Sequence, residues 1–154
     1  MRCKFQSRLS FDEGQSWGEI KPLGHSAFQC KLTPVLVRRI METYEGGCHC
    51  GLIKFSIKTE LSYSVRCDCS ICRRRGSIMV RCDAEDLKML QGEEHLQLYQ
   101  FGSNVAKHYF CKHCGVYTFH RMRKLPNKFG INAGCLEGVD LSVLTPILIE
   151  GSTR

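Results

Sequence analysis

The stretch Cys67-Asp68-Cys69-Ser70-Ile71-Cys72-Arg73-Arg74-Arg75 places three thiols within six positions and follows them with three guanidinium groups. Two further cysteine groups flank it, Cys48-His49-Cys50 upstream and Cys111-Lys112-His113-Cys114 downstream. A closed tetrahedral zinc site takes four soft ligands. Seven clustered thiols therefore supply one full site and a remainder of three.

The outer groups complete each other. In Cys111-x-x-Cys114-Gly115 the two intervening residues let both sulfurs converge on one ion, and the glycine lets the chain turn back. Cys48-x-Cys50-Gly51 supplies the other pair. A zinc ion on Cys48, Cys50, Cys111 and Cys114 closes a long loop, and so removes freedom from the unfolded chain. This is a structural site.

Cys67, Cys69 and Cys72 can all reach a second ion, but no unassigned cysteine adjoins them. Three protein ligands and an open position characterise catalytic zinc, which makes the trio both a metal site and the candidate catalytic group. The alternative is a second structural site, completed by a histidine or by one of the isolated Cys3, Cys30, Cys82 and Cys135. Spacing does not choose between the two. Arg73, Arg74 and Arg75 bear on the choice, since cations lower thiol pKa values and receive carboxylates. A run of charge is more often solvated, which is the expectation for at least two of them. His49 and His113 lie inside the ligand pairs and are expected to face solvent. His108 and His120 fall on strand-like segments, where a structural role is commoner than a catalytic one.

Composition agrees with metal rather than disulfides. The eleven cysteines are odd in number, the N-terminus lacks a secretory signal, and C-x-C and C-x-x-C are metal spacings. A reducing, cytoplasmic location is expected, and no apolar run is long enough to span a membrane. The formal charge of +7 invites a nucleic-acid reading. Residues 1–40 hold seven basic and three acidic side chains, which leaves +3 for residues 41–154. Loading both sites with zinc through deprotonated thiols offsets that remainder. Nucleic acid is therefore not the expected partner.

The alternation of Ile53, Phe55 and Ile57 with Lys54, Ser56 and Lys58 is that of a half-buried strand. Further strands are expected over 63–66, 77–81, 116–121, 128–133 and 147–149. Residues 96–110 read as a hairpin with a three-residue turn at Gly102-Ser103-Asn104. Ala84 to Leu90 reads as one or two helical turns. The fold class is mostly β. Residues 1–40 show no sustained period and are interrupted by Gly14, Gly18, Pro22, Gly24 and Pro34, with one short element at 34–40. They read as a poorly structured extension, or as a segment outside the native protein with Met41 as its start. A transit peptide is disfavoured by three acids and no amphipathic period. The zinc domain is placed at 41–154.

Gly46-Gly47-Cys48-His49-Cys50-Gly51, the segment Cys67 to Arg74, the segment Tyr109 to His120 and the tail Asn132 to Asp140 together resemble the glutathione-dependent formaldehyde-activating (GFA) family, which includes centromere protein V. The resemblance covers about residues 42–150. It implies a β-tent, short antiparallel sheets around two zinc sites. It puts the structural ion on Cys48, Cys50, Cys111 and Cys114 and the more labile ion on Cys67, Cys69 and Cys72. It also implies carbon–sulfur lyase chemistry, in which glutathione adds to formaldehyde to give S-hydroxymethylglutathione. The contrasting expectation is a non-enzymatic zinc module that contacts nucleic acid or a protein, as the centromere relatives suggest.

Overall fold

A computed structural model of the chain describes residues 40–152. The extension and the element expected at 34–40 lie outside these residues, save Ile40. So do Cys3 and Cys30.

The alternating segment forms β2 (Lys54–Thr59), with Phe55 and Ile57 fully buried beside Ile53. It pairs antiparallel with β1 (Glu42–Gly47) on one side and β5 (Leu87–Gln91) on the other, giving a three-stranded sheet. The helical reading of 84–90 is thereby corrected. Only Ala84–Asp86 makes a helical turn, of 3₁₀ type. Leu87 and Met89 pair with Ile57 and Phe55 and pack on the core, so sheet pairing overrides a weak local helical preference.

The remaining strands are β3 (Ser64–Cys67), β4 (Met79–Asp83), β6 (Leu96–Tyr99), β7 (Lys107–Cys111), β8 (Tyr117–Arg121), β9 (Lys128–Asn132) and β10 (Ile147–Ile149). They form one sheet of seven in the order β10-β3-β4-β9-β8-β7-β6. All its pairs are antiparallel except β10 with β3, which run parallel. The 96–110 hairpin is present, but its connection runs from Gln100 to Ala106 and is longer than the three residues expected. Both Gly102 and Asn104 take positive φ within it.

Phe55 of the small sheet meets Phe119 of the large one edge-on, ring centres 5.5 Å apart, and Phe119 meets Phe129 in the same way at 5.9 Å. Val80 and Ile131 fill out this core. Cys82 and Cys135 are buried in it, and burial pushes both thiols up to about 12, so they behave as small apolar side chains. The class is mostly β, with two cysteine clusters at the sheet margins.

Candidate metal centres and the adjoining cavity

The four outer cysteines meet. Cys48 and Cys50 lie in the turn from β1 to β2, Cys111 ends β7, and Cys114 lies in the turn to β8. Their four sulfurs lie within 4.8 Å of one another. Each turn is closed by the glycine foreseen in the sequence. Gly51 donates its N–H to the Cys48 carbonyl at 3.1 Å and Gly115 to the Cys111 carbonyl at 2.8 Å, both with positive φ. Zinc–sulfur bonds of about 2.3 Å in a tetrahedron put sulfurs about 3.8 Å apart. Cys50 Sγ lies 3.4 Å from Cys48 Sγ and 3.7 Å from Cys111 Sγ, a spacing that fits the ion. The Ile53 amide donates to Cys48 Sγ at 3.3 Å, a hydrogen bond that favours the thiolate.

The central trio also converges, its sulfurs within 4.8 Å of one another. Among the described residues no fourth Cys, His, Asp or Glu joins it at that distance. Cys67 ends β3, Cys69 precedes α1 (Ser70–Arg75), and Cys72 lies in that helix. Nothing in the local sequence marks this six-residue helix. It is closed by Gly76 in the left-handed region, whose N–H reaches the Cys72 carbonyl at 3.0 Å. Burial pushes the Cys69 thiol up, but the amides of Cys72 and Ile71 and the neighbouring thiols outweigh it and hold Cys69 below its ordinary value. Burial, chiefly, raises Cys72 and Cys67.

The chain's last described residues strap this cluster. β10 runs beside β3 with Ile149 opposite Cys67. The Asp68 carboxylate then accepts the Gly151 N–H at 2.6 Å, the Ser152 N–H at 2.9 Å and the Ser152 hydroxyl at 2.8 Å. Those bonds, Ser152's first, hold the Asp68 carboxyl below its ordinary range. A Cβ on Gly151 would fall on Cys67 Sγ and lie 3.0 Å from Cys69 Cβ. Gly151→Val is therefore expected to displace the strap and weaken metal retention at the trio by about tenfold, the order found for outer-shell changes. Competition with a chromophoric chelator reads this, with the four-cysteine site as internal reference.

A cavity of about 360 Å³ opens beside the trio, lined by all three cysteines and by His108 and His120. Antiparallel pairing of β7 and β8 sets these histidines directly opposite each other, rings stacked 5.2 Å apart. Tyr117 Oη lies 2.7 Å from His120 Nδ1 and 3.3 Å from His108 Nδ1. Arg75 covers the Tyr117 ring at 3.7 Å and approaches His108 Nδ1 at 3.2 Å. A guanidinium only donates, so Nδ1 of His108 accepts and the ring proton sits on Nε2. Arg73 and Arg74 are exposed, as expected of most of the run. Arg75 is the one turned inward. His49 and His113 are exposed as expected, and His113 Nε2 lies 3.2 Å from His95 Nδ1.

Burial, aided by Arg75, lowers His108 to about 4. Burial, aided by His108 and Arg75, lowers His120 to about 3. Burial raises the Tyr117 phenol, and Arg75 opposes this only in part. All three groups are neutral near pH 7. An unfolded His108 takes up a proton near its ordinary 6.5 and the folded one only near 4. The folded state thus binds fewer protons across that window, and stability present above pH 6.5 drains away as pH falls toward 4. The loss is about 3 kcal/mol, at 1.36 kcal/mol per unit. His120, lowered further, adds to the loss over the same window, so in denaturant midpoints against pH His108→Gln should make the slope shallower without abolishing it, and the double change His108→Gln/His120→Gln should remove this contribution and leave only acid release of metal.

Residues 43–147 match the family described as glutathione-dependent formaldehyde-activating enzyme. A curated relative from Halomonas elongata, provisionally named for the same activity, is 34% identical over 80 residues, covering 46% of this chain and 50% of its own length. The chain thus spans about half the length of that relative. A crystal structure of a Rhodobacter sphaeroides protein superposes with a TM-score of 0.65 at 42% identity, over 68% of this chain and 97% of that one.

Proposed function

The chain belongs to the glutathione-dependent formaldehyde-activating family, and from that premise we propose that it is a carbon–sulfur lyase joining a thiol, glutathione by preference, to an aldehyde, formaldehyde being the family's namesake. In this reading it carries two zinc ions, a structural one on Cys48, Cys50, Cys111 and Cys114 and a labile, catalytic one on Cys67, Cys69 and Cys72. The single observation that carries the proposal is the three-thiol cluster lining a cavity that also holds a neutral His108–Tyr117–His120 group.

Addition of a thiol to an aldehyde forms one S–C bond. The carbonyl π pair moves to oxygen, the thiol loses a proton and the oxygen gains one. A zinc ion on the trio would favour the thiolate near neutral pH and polarise the carbonyl. Neutral His108, its Nδ1 engaged by Arg75, can offer its Nε2–H as a hydrogen bond to the carbonyl oxygen as that oxygen gains charge, and water carries off the thiol proton and supplies the one the oxygen takes up. Arg75 keeps the His108 proton on Nε2 and stays out of that exchange. Arg81, Arg123 and Lys124 line the same cavity, and they complement the carboxylates of a peptide thiol. The aligned backbone of Gly151 leaves no room for a side chain over Cys67. A reducing, cytoplasmic setting goes with this chemistry, and all nine described cysteines are free. No helix among the described residues is long and apolar enough to cross a membrane.

Magnetisation-exchange spectroscopy on glutathione plus formaldehyde tests the proposal. Exchange between free and adduct signals should accelerate with substoichiometric protein. Rates unchanged even at stoichiometric protein would sink the catalytic reading.

A further inference from the structure

The cavity is far more apolar than a one-carbon aldehyde needs. Buried Met79 of β4 lines it, with Val65 and Ile71 beside the cysteines on β3 and α1. Phe101 and Leu125 reach it from the 100–106 and 122–127 loops that form its exposed rim. Three cations also line it. Arg123 and Lys124 are on the exposed rim, and Arg81 is held over the Tyr63 ring at 4.8 Å. A tripeptide thiol offers carboxylates to the cations but little hydrocarbon to Val65, Ile71, Met79 and Phe101. Pushing its amides against those apolar side chains would strip them of hydrogen-bond partners. What suits them is a hydrocarbon group attached to the sulfur or to the carbon bonded to it. The volume of about 360 Å³ lies in the range of pockets that bury small organic ligands.

Resting on the lyase reading, we propose that the site takes thiol adducts of larger apolar aldehydes, aliphatic chains of about four to six carbons or a single aromatic ring, in preference to formaldehyde. The reaction balances as before: the thiol sulfur bonds to the aldehyde carbon, the carbonyl pair goes to oxygen, and the thiol proton ends on that oxygen. No oxidant or reductant is required. Val65, Ile71, Met79 and Phe101 are in this account specificity determinants that contact the substituent.

Titration calorimetry with unreactive thioethers on the zinc-loaded protein tests this, in two series: S-alkyl glutathiones and S-alkyl-N-acetylcysteines, each running from methyl to hexyl. Each buried methylene should tighten binding by about fourfold, so butyl should exceed methyl by tenfold or more. Ala106→Leu, a change in the partly exposed loop that lines the cavity, should cut the gain for hexyl and leave methyl alone. Affinity independent of chain length in both series, or falling with it, overturns the proposal. A length effect in both series with no advantage for glutathione over N-acetylcysteine supports the apolar cavity and instead overturns glutathione as the thiol. A length effect that survives Ala106→Leu intact places the alkyl group elsewhere and overturns the assignment of this cavity.

Discussion

Cys111→Ser is expected to yield a chain without cooperative unfolding or native tertiary dichroism at room temperature. Cys111 is fully buried where β7 ends, and its sulfur lies with three others from the β1–β2 and β7–β8 turns. The ion proposed there ties the three-stranded sheet to the seven-stranded one. Structural zinc contributes an apparent ~10–16 kcal/mol, against a total stability of ~5–15 kcal/mol for a domain. The aromatic contact of Phe55 with Phe119 cannot replace a term of that size, since such pairs add only about 0.5–1.5 kcal/mol beyond burial. A wild-type-like unfolding midpoint in Cys111→Ser would show that the core holds the sheets together unaided.

Cys69→Ser should do the opposite: retain the fold and lose the activity. Cys69 is only partly buried, precedes a six-residue helix and takes no part in the main core. Its removal leaves two thiols, too few to keep an ion in competition with a chelator. The thiol–aldehyde exchange rate should fall by on the order of a hundredfold or more, as loss of a metal ligand exceeds the 10–100-fold effect of losing an outer-shell partner. The thermal midpoint should move by only a few degrees. Unfolding of Cys69→Ser would make the trio a second structural site, the alternative that cysteine spacing alone left open.

Much of this architecture is legible in the sequence because metal ligation leaves a local signature. Cys48-x-Cys50-Gly51 and Cys111-x-x-Cys114-Gly115 each encode a turn whose glycine takes positive φ, and the structure closes both as the spacing requires. The Ile53–Ile57 alternation is equally local, since period two is a property of the strand itself. What was not legible depends on pairing. Leu87 and Met89 look helical until β2 is placed beside them. Tyr117 carries no local mark. It acquires its position only when β7 and β8 pair to set His108 against His120, and when α1 turns Arg75 over its ring. Without that register the two histidines read as structural. Asp68 shows the same limit from another side. Its partners, Gly151 and Ser152, lie at the far end of the chain, so nothing near residue 68 announces the strap.

The contrast between a closed cluster and an open one is the centre of this account, and zinc counting with differential thiol alkylation addresses it directly. Protein loaded with zinc is treated with a limiting chelator, pulse-alkylated before and after addition of glutathione, and mapped by mass spectrometry. Two ions per chain are expected, with one released readily. Cys67, Cys69 and Cys72 should become labelled together on its loss and have their labelling altered by glutathione, while Cys48, Cys50, Cys111 and Cys114 stay protected. A single ion per chain, or labelling of all seven cysteines in one step, would contradict it.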